Sequence, residues 1–487
     1  MPGTHRYTWP LYILLVLFVF LDTAYSFNQY LNEPLDGDLA GIVVPNEFYE
    51  QVLTDPFGLS AALNGEEYAA PNRFFAHAAL SGYFLHAPLL LQRFVAPVDS
   101  IYLACAILKI AIHLLLLVVL AAYVTASVNW SGRTYLLALA LLVPLFHASG
   151  YNMQMGLIDT SMTYTVFYAL PSALVLLFFL PFYRMIWSGE ALPLHWWSKI
   201  LLIALAVLVA FNGPLVPGVV ALVCPLVLGR LLWKNWPHQP GLGIGARWYA
   251  ACKAIPKVLL GFFLLLGVLC LYSLFVGHYN SENHWATISV WQRYLRLPYG
   301  VYYQITPKLG IPLVLLMLVL NRYLLRRFSQ NPEGQQMLQA LFWVGLFSLA
   351  YILLLPLGGY RSYRPDILRR DTVQPVLLVL FLFYGASSLY LLQSLQGRVR
   401  NWYWAGVLLF VVGFTVADKP NGGKNTCERM ALQQIAASTE KRVSLTRDCT
   451  VMQWEPWSDP AASGTNIQLL HHWNVVQDSN KRYYQSE

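Results

Sequence analysis

Apolar runs of about 20 residues recur from one end of this chain to the other, separated by shorter polar segments. A helix of that length is long enough to cross a hydrocarbon layer of about 30 Å. Inside such a layer every backbone polar group needs a partner within the chain, so separate apolar runs cross it as helices. Charged residues make up only 11% of the chain, whereas soluble domains carry roughly 25%. The sequence therefore predicts an all-α polytopic membrane protein.

About eleven transmembrane helices are predicted, followed by a polar tail. The predicted spans are 9–25, 98–127, 134–149, 163–183, 199–212, 216–233, 258–276, 309–327, 338–357, 374–395 and 402–418. They divide the chain into a transmembrane domain, 1–418, whose first outer loop covers 26–97, and a C-terminal tail or small domain, 419–487. The short fifth and sixth spans meet at "FNGPLVPG", where a re-entrant pair and two tilted helices both fit.

The segment 72–95, within the first outer loop, is also long enough to span a membrane. It contains Arg73, His77, His86 and Arg93, which are costly in lipid. Its apolar positions suit a helix that lies in the membrane interface, and we predict interfacial helices in this loop. If the segment crossed instead, every later loop would change sides.

Lysine and arginine are more frequent in the short loops that face inside when the N-terminus is cytoplasmic. This bias predicts an extracytoplasmic C-terminus, in a membrane that we expect to be the bacterial inner membrane. Cys427 and Cys449 of the tail would then lie in an oxidising compartment and form a disulfide, the alternative being two unpaired thiols inside the cell. The basic residues that give the net charge of +8 are scattered at span ends, which predicts no nucleic-acid partner.

The outer segment "GGYRSYRPDILRRDTV", residues 358–373, is unusually rich in arginine. Its arginines are Arg361, Arg364, Arg369 and Arg370. They oppose the usual charge bias of outer loops, and the planar arginine fork binds phosphate with two parallel hydrogen bonds. A neighbouring outer loop adds Arg293 and Arg296. We therefore predict a phosphate-binding site, with lipid headgroup anchoring and pairing to Asp366 and Asp371 as the alternative.

Aromatic residues accompany these arginines and could contact a sugar or an acceptor. The candidates are Tyr360, Tyr363 and Trp291. In the acidic first outer loop, "NEPLDGDLAG" places Asp36 and Asp38 on either side of a glycine that permits a tight turn. One of these carboxylates could act as a general base toward a hydroxyl, or both could solvate an ordinary turn. Asp159, in a later outer loop, is expected to cap the following helix, the alternative being that it lines the same cavity.

This layout resembles the GT-C superfamily of membrane glycosyltransferases: a first span, a long acidic outer loop with interfacial helices, and about ten further spans. The resemblance implies transfer of a sugar from a polyprenyl phosphate or pyrophosphate donor on the outer face. It also implies an essential carboxylate in the first outer loop, matched here by Asp36 or Asp38. The residues that would bind the lipid phosphate are Arg361, Arg364, Arg369, Arg370, Arg293 and Arg296. The chain has no paired acidic dipeptide directly beside the first span and no WWD-type motif in the tail.

On this reading the partners are a lipid-linked sugar donor, membrane lipids and a polysaccharide, lipid or protein acceptor of the cell envelope. No cofactor is required, although the two aspartates could hold Mg²⁺ or Mn²⁺. An O-antigen-type polymerase or ligase is one alternative, and a transporter or lipid flippase is another. A non-catalytic scaffold for an envelope complex is the third.

Overall fold

A computed structural model describes residues 8–127, 132–147, 155–189, 194–237, 243–285, 288–358, 366–446 and 449–485. Its helices are α1 (Thr8–Leu31), α2 (Leu39–Val43), α3 (Glu50–Thr54), α4 (Leu59–Asn64), α5 (Phe74–Leu91), α6 (Pro97–Thr125), α7 (Arg133–Leu142), α8 (Met162–Tyr164), α9 (Leu170–Ser188), α10 (Trp196–Ala210), α11 (Leu215–Lys234), α12 (Ile244–Lys253), α13 (Lys257–Gly277), α14 (Val290–Ile305), α15 (Gly310–Phe328), α16 (Pro332–Leu354), α17 (Gln374–Ser394), α18 (Gly397–Ala417), α19 (Thr426–Ala437) and α20 (Gly464–His472). The two strands are β1 (Arg442–Leu445) and β2 (Arg482–Gln485). A 3₁₀ turn, Val143–Phe146, extends α7, and a π-helical turn, Thr165–Ala169, joins α8 to α9.

Among the described residues, nine helices are long and apolar enough to cross a membrane. The pair α14 and α15 is bent by 85° and adds a tenth if it forms one span. The extended α7, and α10, are apolar but shorter. The predicted spans correspond in order to α1, α6, α7, α8–α9, α10, α11, α13, α15, α16, α17 and α18. The all-α membrane architecture is therefore confirmed.

The helix α5, which covers most of the segment 72–95, begins and ends on one face of the helical bundle. The end of α1 contacts the tail, where Gln29 Nε2 donates to the Lys419 carbonyl at 3.1 Å. The start of α6 also contacts the tail, through an ion pair between Asp99 and Arg429. Because the chain leaves α1 and enters α6 on the same face, α5 does not make a single crossing between them. We call this face, which carries the first loop and the tail, the tail face.

Both ends of α5 are held by other parts of the tail face. Near its C-terminal end, Trp473 Nε1 of the tail donates to the Phe84 carbonyl at 2.8 Å. At its N-terminal end, the Phe75 amide donates to the Phe211 carbonyl, in the turn between α10 and α11, at 3.3 Å. This placement agrees with the predicted interfacial helix and positions Arg73, which directly precedes α5, beside the α10–α11 turn.

The tail is a small α/β unit closed by a disulfide. Strands β1 and β2 pair in parallel with Arg442 opposite Arg482, and α19 contacts β1. Trp473, directly after α20, is fully buried. The predicted disulfide between Cys427 and Cys449 is confirmed, with Cα atoms 5.5 Å apart. The unit packs on the first loop and α6 as part of the main hydrophobic core.

A buried glutamate fastens the tail to the rest of the protein. Glu428 of α19 is 4% exposed, and its Oε2 accepts hydrogen bonds from the Leu35 amide at 2.9 Å and the Tyr102 hydroxyl at 2.8 Å. Its Oε1 accepts from the Met452 amide at 3.1 Å. Burial raises the pKa of Glu428 from 4.5 to about 7, although these hydrogen bonds oppose the shift. One side chain thus joins α19, the first loop, α6 and the segment after Cys449.

We expect this raised pKa to make the stability of the protein depend on pH. Between pH 4.5 and about 7 the folded protein binds a proton at Glu428 that the unfolded chain releases, so stability falls as pH rises through this window. The total loss is about 3 kcal/mol in the free energy of unfolding. Thermal unfolding of Glu428→Gln from pH 4 to pH 8 should show a flatter profile than wild type. The exposed Glu440→Gln serves as the control, and an unchanged slope in Glu428→Gln would contradict the prediction.

Candidate functional site

An open cavity of about 580 Å³ lies on the tail face. Its wall is formed by the residue preceding α5, the adjacent ends of α11, α13 and α16, one residue of α14, and the segment 366–372. Polar residues of this wall include Arg73, Asn280, Arg293, Tyr351, Asp366 and Arg369. The cavity therefore brings Arg73 of the first loop, α14 and the arginine-rich late segment together, whereas the predicted first-loop carboxylates, Asp36 and Asp38, are not among its described lining residues.

The described part of the cavity wall carries more positive than negative charge. Its described residues contribute three guanidinium groups and one carboxylate, that of Asp366. Among the described residues, neither Arg73 nor Arg293 forms an ion pair with a carboxylate. Arg369 does, through a two-pronged contact with Asp371 at 3.0 and 2.9 Å. The charge balance of the wall suits an anionic ligand.

Arg293 is held by backbone carbonyls. Its Nε donates to the Ile288 carbonyl at 3.3 Å, and its Nη1 donates to the Pro356 carbonyl at 3.2 Å. These contacts fix the side chain without neutralising it. A guanidinium in this state is already oriented and keeps further N–H groups for a ligand.

Arg73 is positioned by packing. Its guanidinium carbon lies 4.7 Å from the centroid of the Phe167 ring, and its buried Nε makes no hydrogen bond. Gly213, with a φ of +105°, approaches so closely that an added Cβ would lie 2.9 Å from Arg73 Nε. A side chain at position 213 would therefore displace the arginine. Gly213, the first glycine of "FNGPLVPG", therefore allows the α10–α11 turn to pack closely against the cavity wall.

Arg370 forms an ion pair with Asp159, which the sequence predicted to cap a helix. Arg370 Nη2 lies 2.7 Å from Asp159 Oδ2, and the Asp159 side chain is buried. The cap of α8 is instead Ser161, whose Oγ accepts from the Tyr164 amide at 3.2 Å. The capping role predicted for Asp159 was therefore wrong. The residue ties the late arginine-rich segment to residues 159–163.

Residues 159–163 also bind the first loop. Asp36 is buried, and its carboxylate accepts from the Thr163 amide at 3.0 Å and the Thr163 hydroxyl at 2.7 Å. Lys109 Nζ donates to the Thr160 carbonyl at 2.6 Å and forms a buried ion pair with Glu33. We call residues 159–163 the hub segment, because a first-loop aspartate, a lysine of α6 and a late arginine all bind it.

The two first-loop aspartates have different surroundings. Besides its bonds to the hub segment, Asp36 Oδ1 accepts from the Asp38 amide at 3.2 Å. Asp38 is half-buried, and its Oδ1 accepts from Trp454 Nε1 at 3.1 Å. Asp36 thus shapes the turn, whereas Asp38 lies nearer the surface, beside the tail.

An apolar groove of about 280 Å³ lies next to the cavity, between α9, α11, α16 and α17. Leu215 lines both spaces. Phe347 of the groove stacks on Tyr351 of the cavity with ring centroids 5.9 Å apart. The groove wall is almost wholly aliphatic and aromatic, with Arg230 as its one guanidinium. A charged cavity thus adjoins an apolar groove that lies between candidate membrane-spanning helices.

The remaining predicted site residues have two outcomes. Tyr360, Arg361, Tyr363 and Arg364 lie outside the described residues. Arg296 and Trp291 are exposed on α14 and are not part of the cavity wall. The sequence did not indicate Arg73, Lys109 or Trp454 as site residues. A signal for Trp454 was its position a few residues after the predicted disulfide, and a signal for Lys109 was its charge within an apolar span.

Among the residues that the structure describes, no group of three or more histidine, cysteine, aspartate or glutamate side chains is arranged to hold a metal ion. A comparison with protein-family models gave no match, and a comparison with curated proteins gave none either. A function is therefore inferred from the chemistry of the cavity, the groove and the first-loop carboxylates.

Proposed function

We propose that this protein is a membrane glycosyltransferase that takes a sugar from a polyprenyl-phosphate donor on the tail face. The observation that carries the proposal is the junction of the arginine-lined cavity with the apolar groove. A polyprenyl phosphate has a strongly anionic head and a long branched hydrocarbon chain, and the two spaces match these two parts. A free sugar phosphate would need the cavity alone, and a neutral lipid would need the groove alone.

The cavity chemistry supports a role in bond cleavage. In the transfer, the acceptor hydroxyl oxygen bonds to the anomeric carbon while the bond from that carbon to the phosphate oxygen breaks. Negative charge then grows on the leaving phosphate, and Arg73 and Arg293, fixed before the ligand arrives, would stabilise it. Arg369 would contribute less, because Asp371 already neutralises part of its charge.

Asp38 is the better candidate for the base that takes the acceptor proton. Asp36 is buried, and its carboxylate accepts three hydrogen bonds that hold it within the turn. Asp38 is more exposed and lies beside a tail residue at the surface. Attack assisted by a base opposite the leaving phosphate gives inversion at the anomeric carbon.

Sugar release from a defined donor tests this function. Purified full-length protein in lipid nanodiscs is incubated with hexoses and pentoses linked to undecaprenyl phosphate, with and without an envelope extract as the source of acceptor. We expect at least one donor to yield free undecaprenyl phosphate. Asp38→Asn should lower that rate by about 100-fold or more, since a positioned base contributes 10²–10⁴. Matched thermal unfolding of Asp38→Asn confirms that the variant is folded.

Three results would overturn the proposal. One is unchanged turnover in both Asp36→Asn and Asp38→Asn. Another is release only from pyrophosphate-linked oligosaccharides, which would indicate the polymerase or ligase class. The third is movement of the donor between the leaflets without cleavage, which would indicate a flippase.

A further inference from the structure

A tryptophan of the tail is held at the surface beside Asp38. Trp454 is 56% exposed, although its ring is one of the largest apolar groups in the chain. The hydrogen bond from its Nε1 to Asp38 Oδ1 fixes the ring from the side of the first loop. Gly37 allows this approach, because an added Cβ would lie 2.6 Å from Trp454 Cδ1 and 2.8 Å from its backbone nitrogen. These contacts therefore hold the Trp454 ring in one orientation at the surface.

The backbone that carries Trp454 is equally constrained. Met452, two residues earlier, has a φ of +49°, a conformation that costs a non-glycine residue energy and persists only where neighbours impose it. Asn466 Nδ2 donates to the Met452 carbonyl at 3.1 Å, and Glu428 accepts from the Met452 amide. The disulfide at Cys449 closes the other end of the segment. These contacts within the tail thus fix the backbone that carries the Trp454 ring.

Two tyrosines connect Trp454 to the cavity. The Tyr164 ring lies 5.9 Å from the Trp454 ring and is inclined to it by 32°. Tyr168 lies 5.9 Å from Tyr164 in an edge-to-face arrangement and lines the cavity. Tyr164 follows Thr163 of the hub segment, which Asp36 binds, so the turn and the tyrosines are fixed to each other. An aromatic row leads from the surface to the cavity.

We propose that Trp454, Tyr164 and Asp38 form the acceptor site, and that the acceptor presents a pyranose ring there. One face of a pyranose consists of C–H groups that pack on a flat aromatic ring, and its edge carries hydroxyls that a carboxylate accepts. The row combines these two features, and Tyr168 at its inner end lines the arginine-lined cavity. This inference rests on the proposed glycosyltransferase function and adds that the acceptor is itself a carbohydrate.

Saturation-transfer NMR with p-nitrophenyl glycopyranosides of glucose, galactose, mannose and N-acetylglucosamine tests the inference. The protein is kept in nanodiscs, because glycoside detergents would compete for the site. We expect at least one glycoside to bind, and Trp454→Ala to weaken its binding by 10-fold or more. Trp454→Phe, which retains a flat ring, should stay within a few-fold of wild type. Trp402→Ala, at an exposed tryptophan of α18, is the control and should not change binding.

Two outcomes would overturn the acceptor site: no glycoside binds, or binding survives Trp454→Ala. A donor measurement separates these from failure of the transferase itself. If only the acceptor inference is wrong, wild-type protein still binds farnesyl phosphate and still releases sugar from the lipid-linked donor. If the transferase is wrong, those two measurements fail in wild type, whatever the glycosides do.

Discussion

Replacing Lys109 by methionine is expected to destabilise the protein by about 3–5 kcal/mol, the usual cost of breaking a buried ion pair by removing one partner. Lys109 is 1% exposed in α6 and pairs with Glu33, which is 3% exposed. The substitution leaves the Glu33 carboxylate buried without its counter-charge. It also removes the donor to the Thr160 carbonyl, so the hub segment loses one of its anchors.

A double-mutant cycle separates the ion pair from the loss of packing. Glu33→Leu together with Lys109→Met removes both charges, and we expect it to recover much of the stability lost in Lys109→Met. Recovery should be incomplete, because the Thr160 carbonyl stays without its donor. Lys441→Met, at an exposed position of the tail, is the control. The free energies come from unfolding in mixed detergent micelles, and a Lys109→Met variant as stable as the control would refute this account.

The transmembrane architecture was predictable because its signal is local. An apolar run of about 20 residues indicates a span wherever it occurs, whatever packs beside it. The segment 72–95 needed one more consideration, the cost of its basic residues in lipid, and its placement on the tail face agrees with that reasoning. The disulfide was predictable because two isolated cysteines in a polar tail have few other partners.

The site was only partly predictable, because its contacts join residues far apart in sequence. Arg370 was indicated as a phosphate ligand, yet its partner Asp159 precedes it by 211 positions. Asp36 was indicated as a base, yet it binds Thr163, 127 positions later. No local pattern shows that three distant segments meet at residues 159–163. The general base and the phosphate-binding arginines therefore stay predictions, and the structure gives the contacts of those residues that it describes.

Arg73 shows why single-residue reasoning misjudged one site residue. In the sequence, it counted as a charge that keeps a segment out of lipid. In the fold, the same charge faces a cavity, beside a glycine whose conformation makes room for it. A cost to membrane insertion and a proposed ligand-binding role coexist in one side chain, and the position of the neighbouring turn shows that this side chain faces a cavity.

Replacing Arg293 by alanine is expected to weaken binding of farnesyl phosphate by about 10- to 100-fold, because a hydrogen bond to a charged group contributes about 1.5–3 kcal/mol. Two backbone carbonyls already orient Arg293, so little side-chain entropy is lost when an anion binds. Farnesol has the same hydrocarbon chain without the phosphate, and its binding should not change. Native mass spectrometry of the protein with each probe gives the two affinities.

Three further variants make the arginine measurement specific. Arg293→Lys keeps the charge but not the planar fork, so its affinity should fall between wild type and Arg293→Ala. Arg73→Met removes a second cavity guanidinium from a different element and should weaken farnesyl phosphate binding in the same direction. Arg296→Ala, an exposed arginine of the same helix as Arg293, should leave the affinity within about two-fold of wild type, since exposed charges contribute little. Equal losses for farnesol and farnesyl phosphate would mean that Arg293 supports the fold alone, because a phosphate ligand must distinguish the two probes.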